Sequence, residues 1–412
     1  MKKILPVIIT FILFTQTVFA SQTRKVLVIG VDGCRSDAMV QANTPNLDAL
    51  VANGLFSYDA WHCGITVSGP SWSTIMTGVW WNKHGVTGNS YTGSNFNQYP
   101  YFTTRAKEIK PNLRCVEVIE WAPLITGVYN DNWDLQISTP DGISDSTGPV
   151  AAAELLADDS LDCLFVYFDA VDLAGHSTGF DPANAAYIQA IEKVDVNIGR
   201  IRNALHNRPN SANEDWLVLV VTDHGGTGTL HGGNSWAERH IWWVASGAAV
   251  PHQQISEADP GTYNPLLIGV FNASGVDTAK LRRSPVQTDC AVTALHHLIY
   301  DSGLRPENQT AWNLDGKSWL TTTVTGIEET PPTNLKVFPN PTIGMVTFWF
   351  ENPQNNCVSY HVYDVSGKLV REAANIDAAN KLNIDLSGSA KGNYFAELHI
   401  GTQILTKKIV ME

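Results

Sequence analysis

Six side chains of this sequence have the types and spacing to hold metal ions. Asp172 and His176, in Asp172-Leu173-Ala174-Gly175-His176, bring a carboxylate and an imidazole within reach of one centre, a donor mix suited to zinc or a similar divalent ion. Asp223-His224 supplies a second such pair. His231, in Leu230-His231-Gly232-Gly233, adds a third imidazole on a loop that glycines leave accessible, and Asp32, just before Gly33, adds a third carboxylate. Each has an ordinary use when taken singly; Asp32 would serve as a turn or cap residue. Together, three aspartates and three histidines suffice for two metal sites.

Ser68 is the nucleophile that such sites would serve. It stands in Val67-Ser68-Gly69-Pro70-Ser71-Trp72, ahead of the helix-like stretch Ser73 to Gly78. A helix N-terminus presents free N–H groups and a positive dipole end, which favours a phosphate there. By itself a serine at such a place is a helix cap. Beside two divalent ions roughly 4 Å apart, its hydroxyl can ionise near neutral pH and attack phosphorus while the second ion stabilises the leaving oxygen.

Strands and a crossover helix must position these groups. Apolar, β-branched runs at Lys25 to Val31, Leu164 to Phe168, Trp216 to Val221 and Ile241 to Ala245 read as buried parallel strands separated by longer segments, an α/β doubly wound pattern. Tyr187 to Leu205 places Ile191, Val194, Ile198 and Ile201 at helical spacing and reads as a helix against the sheet. Asp32, Asp172 with His176, and Asp223 with His224 all follow strand ends, where ligands bind in open α/β sheets.

The chain has 412 residues, 44% of them hydrophobic and 16% charged, enough for a large cored domain and a small second one. Residues 1–20 read as a secretory signal: Lys2 and Lys3, an apolar run, then Val18-Phe19-Ala20 at a cleavage site. No stretch is apolar over the length that spans a bilayer. The formal charge of −13 disfavours nucleic acid and anionic membrane surfaces as partners. A small anionic substrate remains compatible if bound metal reverses the local potential. The six cysteines are scattered without zinc-ribbon spacing, and Cys34 and Cys63 read as buried thiols. Residues 21–325 form the expected catalytic domain, a polar, proline-rich linker occupies 326–334, and the alternating strands of 335–412 read as a small β-sandwich.

From Lys25 to Trp319 the chain resembles the type I phosphodiesterase/nucleotide pyrophosphatase branch of the alkaline phosphatase superfamily. The resemblance is carried by Gly30-Val31-Asp32-Gly33, Asn43-Thr44-Pro45-Asn46, Ser68-Gly69-Pro70, His84-Gly85-Val86, Asp172 to His176, Thr222-Asp223-His224-Gly225, His231-Gly232-Gly233 and Leu314-Asp315-Gly316. It implies an alkaline-phosphatase-like, mostly parallel sheet and two divalent ions, with zinc expected. Asp32, Ser68, Asp223 and His224 would take one ion; Asp172, His176 and His231 would take the other. It further implies a phosphoserine intermediate on Ser68 and an Asn89 amide hydrogen-bonded to a non-bridging phosphate oxygen, whereas His84 reads as structural. Two departures matter: serine replaces the branch's usual threonine, and Gly69 stands where nucleotide-handling members place a base-stacking aromatic. Trp72, Trp80, Trp81 and Trp121 are candidates to line the pocket or to pack in the core. No lysine or arginine is placed to neutralise a monoester, so diester hydrolysis is the expectation, with a phosphomonoesterase as the alternative. A sulfatase would need arginine where Trp72 stands, and a surface binding protein would not need the metal-centre residues.

The tail resembles the C-terminal sorting domain of proteins exported by the type IX system of Bacteroidetes. The matching pieces are Val337-Phe338-Pro339-Asn340-Pro341-Thr342, Tyr363 to Lys368, Gly392-Asn393-Tyr394-Phe395 and Lys407-Lys408-Ile409-Val410. It implies the type IX machinery as a partner and passage through the periplasm to the cell surface or beyond.

Overall fold

A computed structural model describes residues 22–412 apart from 53, 130–131, 141–146, 264–274, 321–335, 351–356, 365–367, 379 and 401–402. The expected signal peptide and linker lie outside the described residues, as do Ser366 and Gly367 of the tail. The chain divides into two compact units, Met1–Thr322 and Thr323–Glu412.

Among the described residues the first unit has eight strands: β1 (Thr23–Val31), β2 (Gly54–Trp61), β3 (Arg114–Ile119), β4 (Leu135–Ser138), β5 (Leu161–Phe168), β6 (Glu214–Thr222), β7 (His240–Ser246) and β8 (Gln253–Gln254). They lie in the order β4-β3-β5-β1-β6-β7-β2-β8. β1 sits between β5 and β6 and is parallel to both. β7 was expected to be parallel. It instead runs antiparallel to β6 and to β2: the connection from β6, Asp223 to Arg239, is long enough for a crossover but includes only a four-residue helix, Trp236–Arg239, too short to pack across the sheet. A parallel return needs a crossover of a dozen or more residues, usually a packed helix, and here the segment is occupied by the loop carrying His224 and His231.

Both faces of the central strands are buried, so the strands are apolar throughout and side-chain alternation sorts them by face. Val26, Val28, Phe165, Tyr167, Leu219 and Val221 face one core, which the helices Ser68–Thr77 and Gln287–Leu298 cover with Trp72, Ile75, Met76, Ala291 and Leu295. Leu27, Ile29, Val31, Val166 and Val220 face the other, covered by the helices Ala170–Thr178 and Ala185–His206. Ile191, Val194, Ile198 and Ile201 all reach that second core, as their spacing predicts.

The second unit contains β9 (Lys336–Phe338), β10 (Met345–Trp349), β11 (Val358–Asp364), β12 (Leu369–Ile376), β13 (Lys381–Asp385), β14 (Gly392–Ile400) and β15 (Gln403–Met411). They form antiparallel sheets ordered β13-β10-β9 and β12-β11-β14-β15. Phe348 and Ile384 from the first sheet and Val362, Leu398 and Ile409 from the second share one core, which makes the unit a sandwich. None of the six cysteines is disulfide-bonded, and Cys34 and Cys63 are buried.

Candidate active site and metal centre

β1 ends at Val31, and the parallel ladder with β5 is continued by the Asp32 N–H donating to the Phe168 carbonyl at 2.9 Å. Gly33 turns the chain sharply with φ of 64°. A Cβ there would lie 2.4 Å from Asp172 Oδ1, so only glycine lets the β1 turn and the following acidic helix approach so closely. Tyr187, from the long helix Ala185–His206, donates to the Gly33 carbonyl and accepts from the Arg35 N–H at 3.0 Å, clamping the turn. The packing helix therefore also aims Asp32.

The helix Ala170–Thr178 begins just after β5. Asp172 and His176 lie four residues apart and project from one face, with His176 Nε2 3.2 Å from Asp172 Oδ2. Asp223 and His224 follow β6. Asp223 Oδ1 accepts from the Gly33 N–H at 3.0 Å, and Gln287 of the opposite-face helix donates to the Asp223 carbonyl. His231 Nε2 comes within 3.1 Å of His176 Nε2 and 3.8 Å of Asp172 Oδ1.

All six expected ligands and Ser68 thus converge from three strand ends, one loop and one helix start. Ser68 is the first residue of the helix Ser68–Thr77, with Oγ 3.4 Å from His224 Nε2. His224 Nε2 lies 3.2 Å from Asp223 Oδ2 and 3.6 Å from Asp32 Oδ1. One set of mutually close donor atoms comes from Asp32, Asp223 and His224, and a second from Asp172, His224 and His231. The expected division of ligands had placed His224 with only the first group, yet its imidazole lies at the seam between the two.

The donor chemistry fits bound cations. His176, His224 and His231 each direct Nδ1 to a main-chain carbonyl, of Thr229, Gly225 and Thr66 respectively, at 2.8 to 2.9 Å. A neutral imidazole that donates from Nδ1 has its lone pair on Nε2, the arrangement found in metal-ligating histidines. The two facing Nε2 atoms of His176 and His231 then have no proton to share. Asp32 Oδ1, Asp172 Oδ1 and Asp223 Oδ2 are buried without a hydrogen-bond donor. Buried carboxylate oxygens and imidazole lone pairs facing one another are costly unless a cation lies between them.

Electrostatics of the cation-free site point the same way. Burial raises the Asp32 and Asp223 carboxyls above the usual range. Burial, reinforced by the charges of Asp32 and Asp169, pushes Asp172 up to about 9. Burial also pushes His224 and His231 down to about 3. Desolvation here opposes every charge the groups would carry; bound cations would restore the carboxylate charges while keeping the imidazoles neutral.

Asn89 lies beside Ser68. Its Oδ1 accepts from the Gly69 N–H at 2.8 Å, leaving Nδ2 as its free donor end. The helix amide next to Ser68 is therefore committed to Asn89, and the expected direct role of the helix end in holding phosphate does not extend to Gly69. A Cβ at Gly69 would sit 2.9 Å from the Gly88 carbonyl oxygen and 3.0 Å from Asn89 Oδ1, so the loop that presents Asn89 excludes any side chain at that position.

A cavity of about 200 Å³ opens over the site, lined by Asp32, Ser68, Asn89, Trp121, Tyr167, Asp169, Asp172, Leu173, His176 and His231. Of the four tryptophans considered for the pocket, Trp121 lines it. Trp72 lies beneath the site and donates to Asp32 Oδ2 at 2.8 Å; Trp80 and Trp81 are buried, and Trp80 packs on Tyr263. His84 bonds Thr74 Oγ1 at 3.0 Å and accepts from the Val86 N–H, a structural role as expected. Sequence reasoning missed Tyr167, which also donates to Asp32 Oδ2. Its place in the alternation of β5, one residue before the strand end, was the available signal.

Residues 26–260 match the family model for type I phosphodiesterase / nucleotide pyrophosphatase, and residues 336–412 match that for the secretion system C-terminal sorting domain. An uncharacterized pyrophosphatase/phosphodiesterase of Schizosaccharomyces pombe is 24% identical over 218 residues, 48% of this chain and 44% of that protein. Ectonucleotide pyrophosphatase/phosphodiesterase family member 7 of Homo sapiens is 23% identical over 223 residues, 49% of this chain and 48% of that one. The chain thus spans about half the length of the curated relatives it matches. A solved 2-O GAG sulfatase superposes with a TM-score of 0.51 at 12% identity, covering 88% of this chain and 85% of that one, which is a likeness of fold alone. No described helix is long and apolar enough to cross a membrane.

Proposed function

The chain belongs to the type I phosphodiesterase/nucleotide pyrophosphatase family, and from that premise we propose that it is an exported, metal-dependent hydrolase of phosphate diesters with Ser68 as nucleophile. The observation that carries this reading is the ring of three imidazole Nε2 atoms and three donor-less carboxylate oxygens beside the Ser68 hydroxyl. Asp32, Ser68, Asp223 and His224 would hold one divalent ion and Asp172, His176 and His231 a second, with zinc suited to the mixed donors. Two such ions supply Lewis acidity at the attacking and leaving oxygens.

The protein's own groups do the rest. The Ser68 oxygen attacks phosphorus in line, losing its proton to solvent, the alcohol oxygen opposite it departs and takes up a proton, and a phosphoserine that still carries the other ester group results. Water then cleaves the phosphorus–oxygen bond to Ser68, entering from the solvent-open side where His176 is 39% exposed. Asn89, fixed by its bond to the Gly69 N–H, donates Nδ2 to a non-bridging oxygen. Tyr167 and Trp72 hold Asp32 in orientation.

The lining residues of the cavity include no lysine or arginine. Beyond the two proposed ions, a monoester dianion would find no cationic side chain to neutralise its second charge, which favours the singly charged diester. Gly69, with no room for a side chain, offers no ring to stack a base, so recognition of a nucleotide would have to come from elsewhere. A sulfatase reading is disfavoured by Trp72, which occupies the position of the expected arginine and holds Asp32. The tail supports export by the type IX machinery to the cell surface or beyond.

The test is hydrolysis of matched nitrophenyl substrates by the mature protein, with zinc and with chelator. A phosphodiester should be cleaved fastest and chelator should abolish cleavage. Ser68→Ala should lose at least about 10⁴-fold in turnover while retaining metal. Sulfate or monoester preference, or full activity in Ser68→Ala, would sink the proposal.

A further inference from the structure

The outer face of the four-stranded sheet in the second unit carries a group of side chains that the proposed catalysis does not use. His361 on β11 is the register partner of Glu397 on β14 and of Glu372 on β12. His399 lies two residues beyond Glu397 and so shares its face. Val358, Val362, Ala396 and Leu398 point the opposite way, into the core. Two imidazoles and two carboxylates therefore gather on one surface, placed there by strand register alone.

Their separations do not suit hydrogen bonding. His361 Nε2 lies 3.7 Å from Glu372 Oε2 and His399 Nε2 lies 3.8 Å from Glu397 Oε2, beyond the usual N–H···O range. One donor atom each from His361, Glu397 and His399 lies within 4.8 Å of the others. Donors bound at about 2.0–2.1 Å to a tetrahedral ion stand roughly 3.3 Å apart, so side-chain movements of up to about 1.5 Å, within the reach of rotations of these half-exposed side chains, would close the set. The His361 and His399 rings meet nearly edge to face, at 85° with centroids 5.2 Å apart. The His399 ring is 34% exposed, yet its Nε2 is shielded from solvent and has no hydrogen-bond partner among the described residues. Ala373 and Ala374 leave open a cavity of about 560 Å³ over these residues.

We propose that His361, His399 and Glu397, with Glu372 at the margin, form a second and separate divalent-metal site, one that ties β11 to β14 in the C-terminal sandwich. Mixed imidazole and carboxylate donors select a first-row ion such as zinc or nickel over calcium or magnesium. The site stands on the sandwich alone and does not rest on the catalytic reading.

Metal content of the mature full-length chain tests this. After equilibration with zinc chloride and desalting, the H361A/H399A variant should carry one zinc per chain fewer than the unsubstituted protein, with its rate of nitrophenyl phosphodiester cleavage unchanged. Equal zinc content in the two proteins overturns the proposal. The milder E397Q and H399N, which preserve side-chain shape on an exposed face, guard against misfolding of the double variant. Each should weaken binding of the most weakly held zinc by about tenfold or more, and unweakened binding in both also overturns the proposal. Failure of the catalytic reading would appear differently, as loss of hydrolysis with this zinc retained.

Discussion

The two halves of the candidate metal centre differ in their contact with solvent. Asp32, Asp223 and His224 are at most 1% exposed; Trp72 and Tyr167 hold Asp32, the Gly33 turn holds Asp223, and the Gly225 carbonyl holds His224. His176 is 39% exposed and Asp172 13%; they stand on one helix, whose partner His231 comes from a glycine-bounded loop. The buried half shares its surroundings with Ser68, the proposed nucleophile, while the open half faces the cavity. A centre with one rigid wall and one accessible wall can fix the attacking oxygen while still exchanging product.

Replacing one ligand on each side should give the largest contrast. Asp223→Asn is expected to lower diester kcat/KM on the order of 10³-fold, with zinc content falling and little recovery in excess zinc. His176→Asn should cost on the order of tenfold and recover as zinc is raised, because an exposed ligand can be replaced by water. Equal losses with equal recovery would remove the distinction between the halves.

Tyr167→Phe sharpens the same comparison. It removes a donor to Asp32 while leaving every proposed ligand in place, and should weaken zinc binding on the buried side by about 10- to 100-fold, read as a shift in the zinc concentration that restores activity. An unchanged titration would mean that Trp72 alone orients Asp32.

The smallest effect concerns the metal-free protein. Asp172 is raised to about 9 by burial and by the charges of Asp32 and Asp169, well above its unfolded value. A carboxyl raised on folding contributes stability that is complete below the unfolded pKa and is lost as pH rises through the folded one. The melting temperature of the metal-free protein should therefore fall as pH rises from about 4 towards 9, by on the order of 2 °C per pH unit. Zinc should flatten that slope. Parallel slopes with and without zinc would show that the cluster is not relieved by a cation.

The gathering of these candidate residues could be read from the chain because acidic and histidine groups at strand ends leave a local mark. Asp32 follows an unbroken apolar run, Asp223-His224 follows another, and Asp172 and His176 share a helical face. The helix Ala185–His206 was legible for a similar reason, since a 3.6-residue period survives in one dimension. Pairing direction was not. β7 has the same buried, β-branched character as its parallel neighbours, and what turns it antiparallel is the absence of a packed crossover after β6, where the His224 and His231 loop takes the space.

The sequence by itself determined which residue types could bind metal, which residue could attack, and that a sorting tail follows a catalytic unit, because these depend on side-chain chemistry and short-range spacing. Only the tertiary structure decided that the three imidazoles turn Nδ1 to main-chain carbonyls, that His224 stands at the seam of both ligand groups, and that Gly69 must remain bare for Asn89 to approach. It alone also set the His361, Glu397 and His399 cluster on one sheet face. Each of these follows from chain segments brought together across tens to hundreds of residues, and strand register and loop closure leave no periodic trace in the sequence.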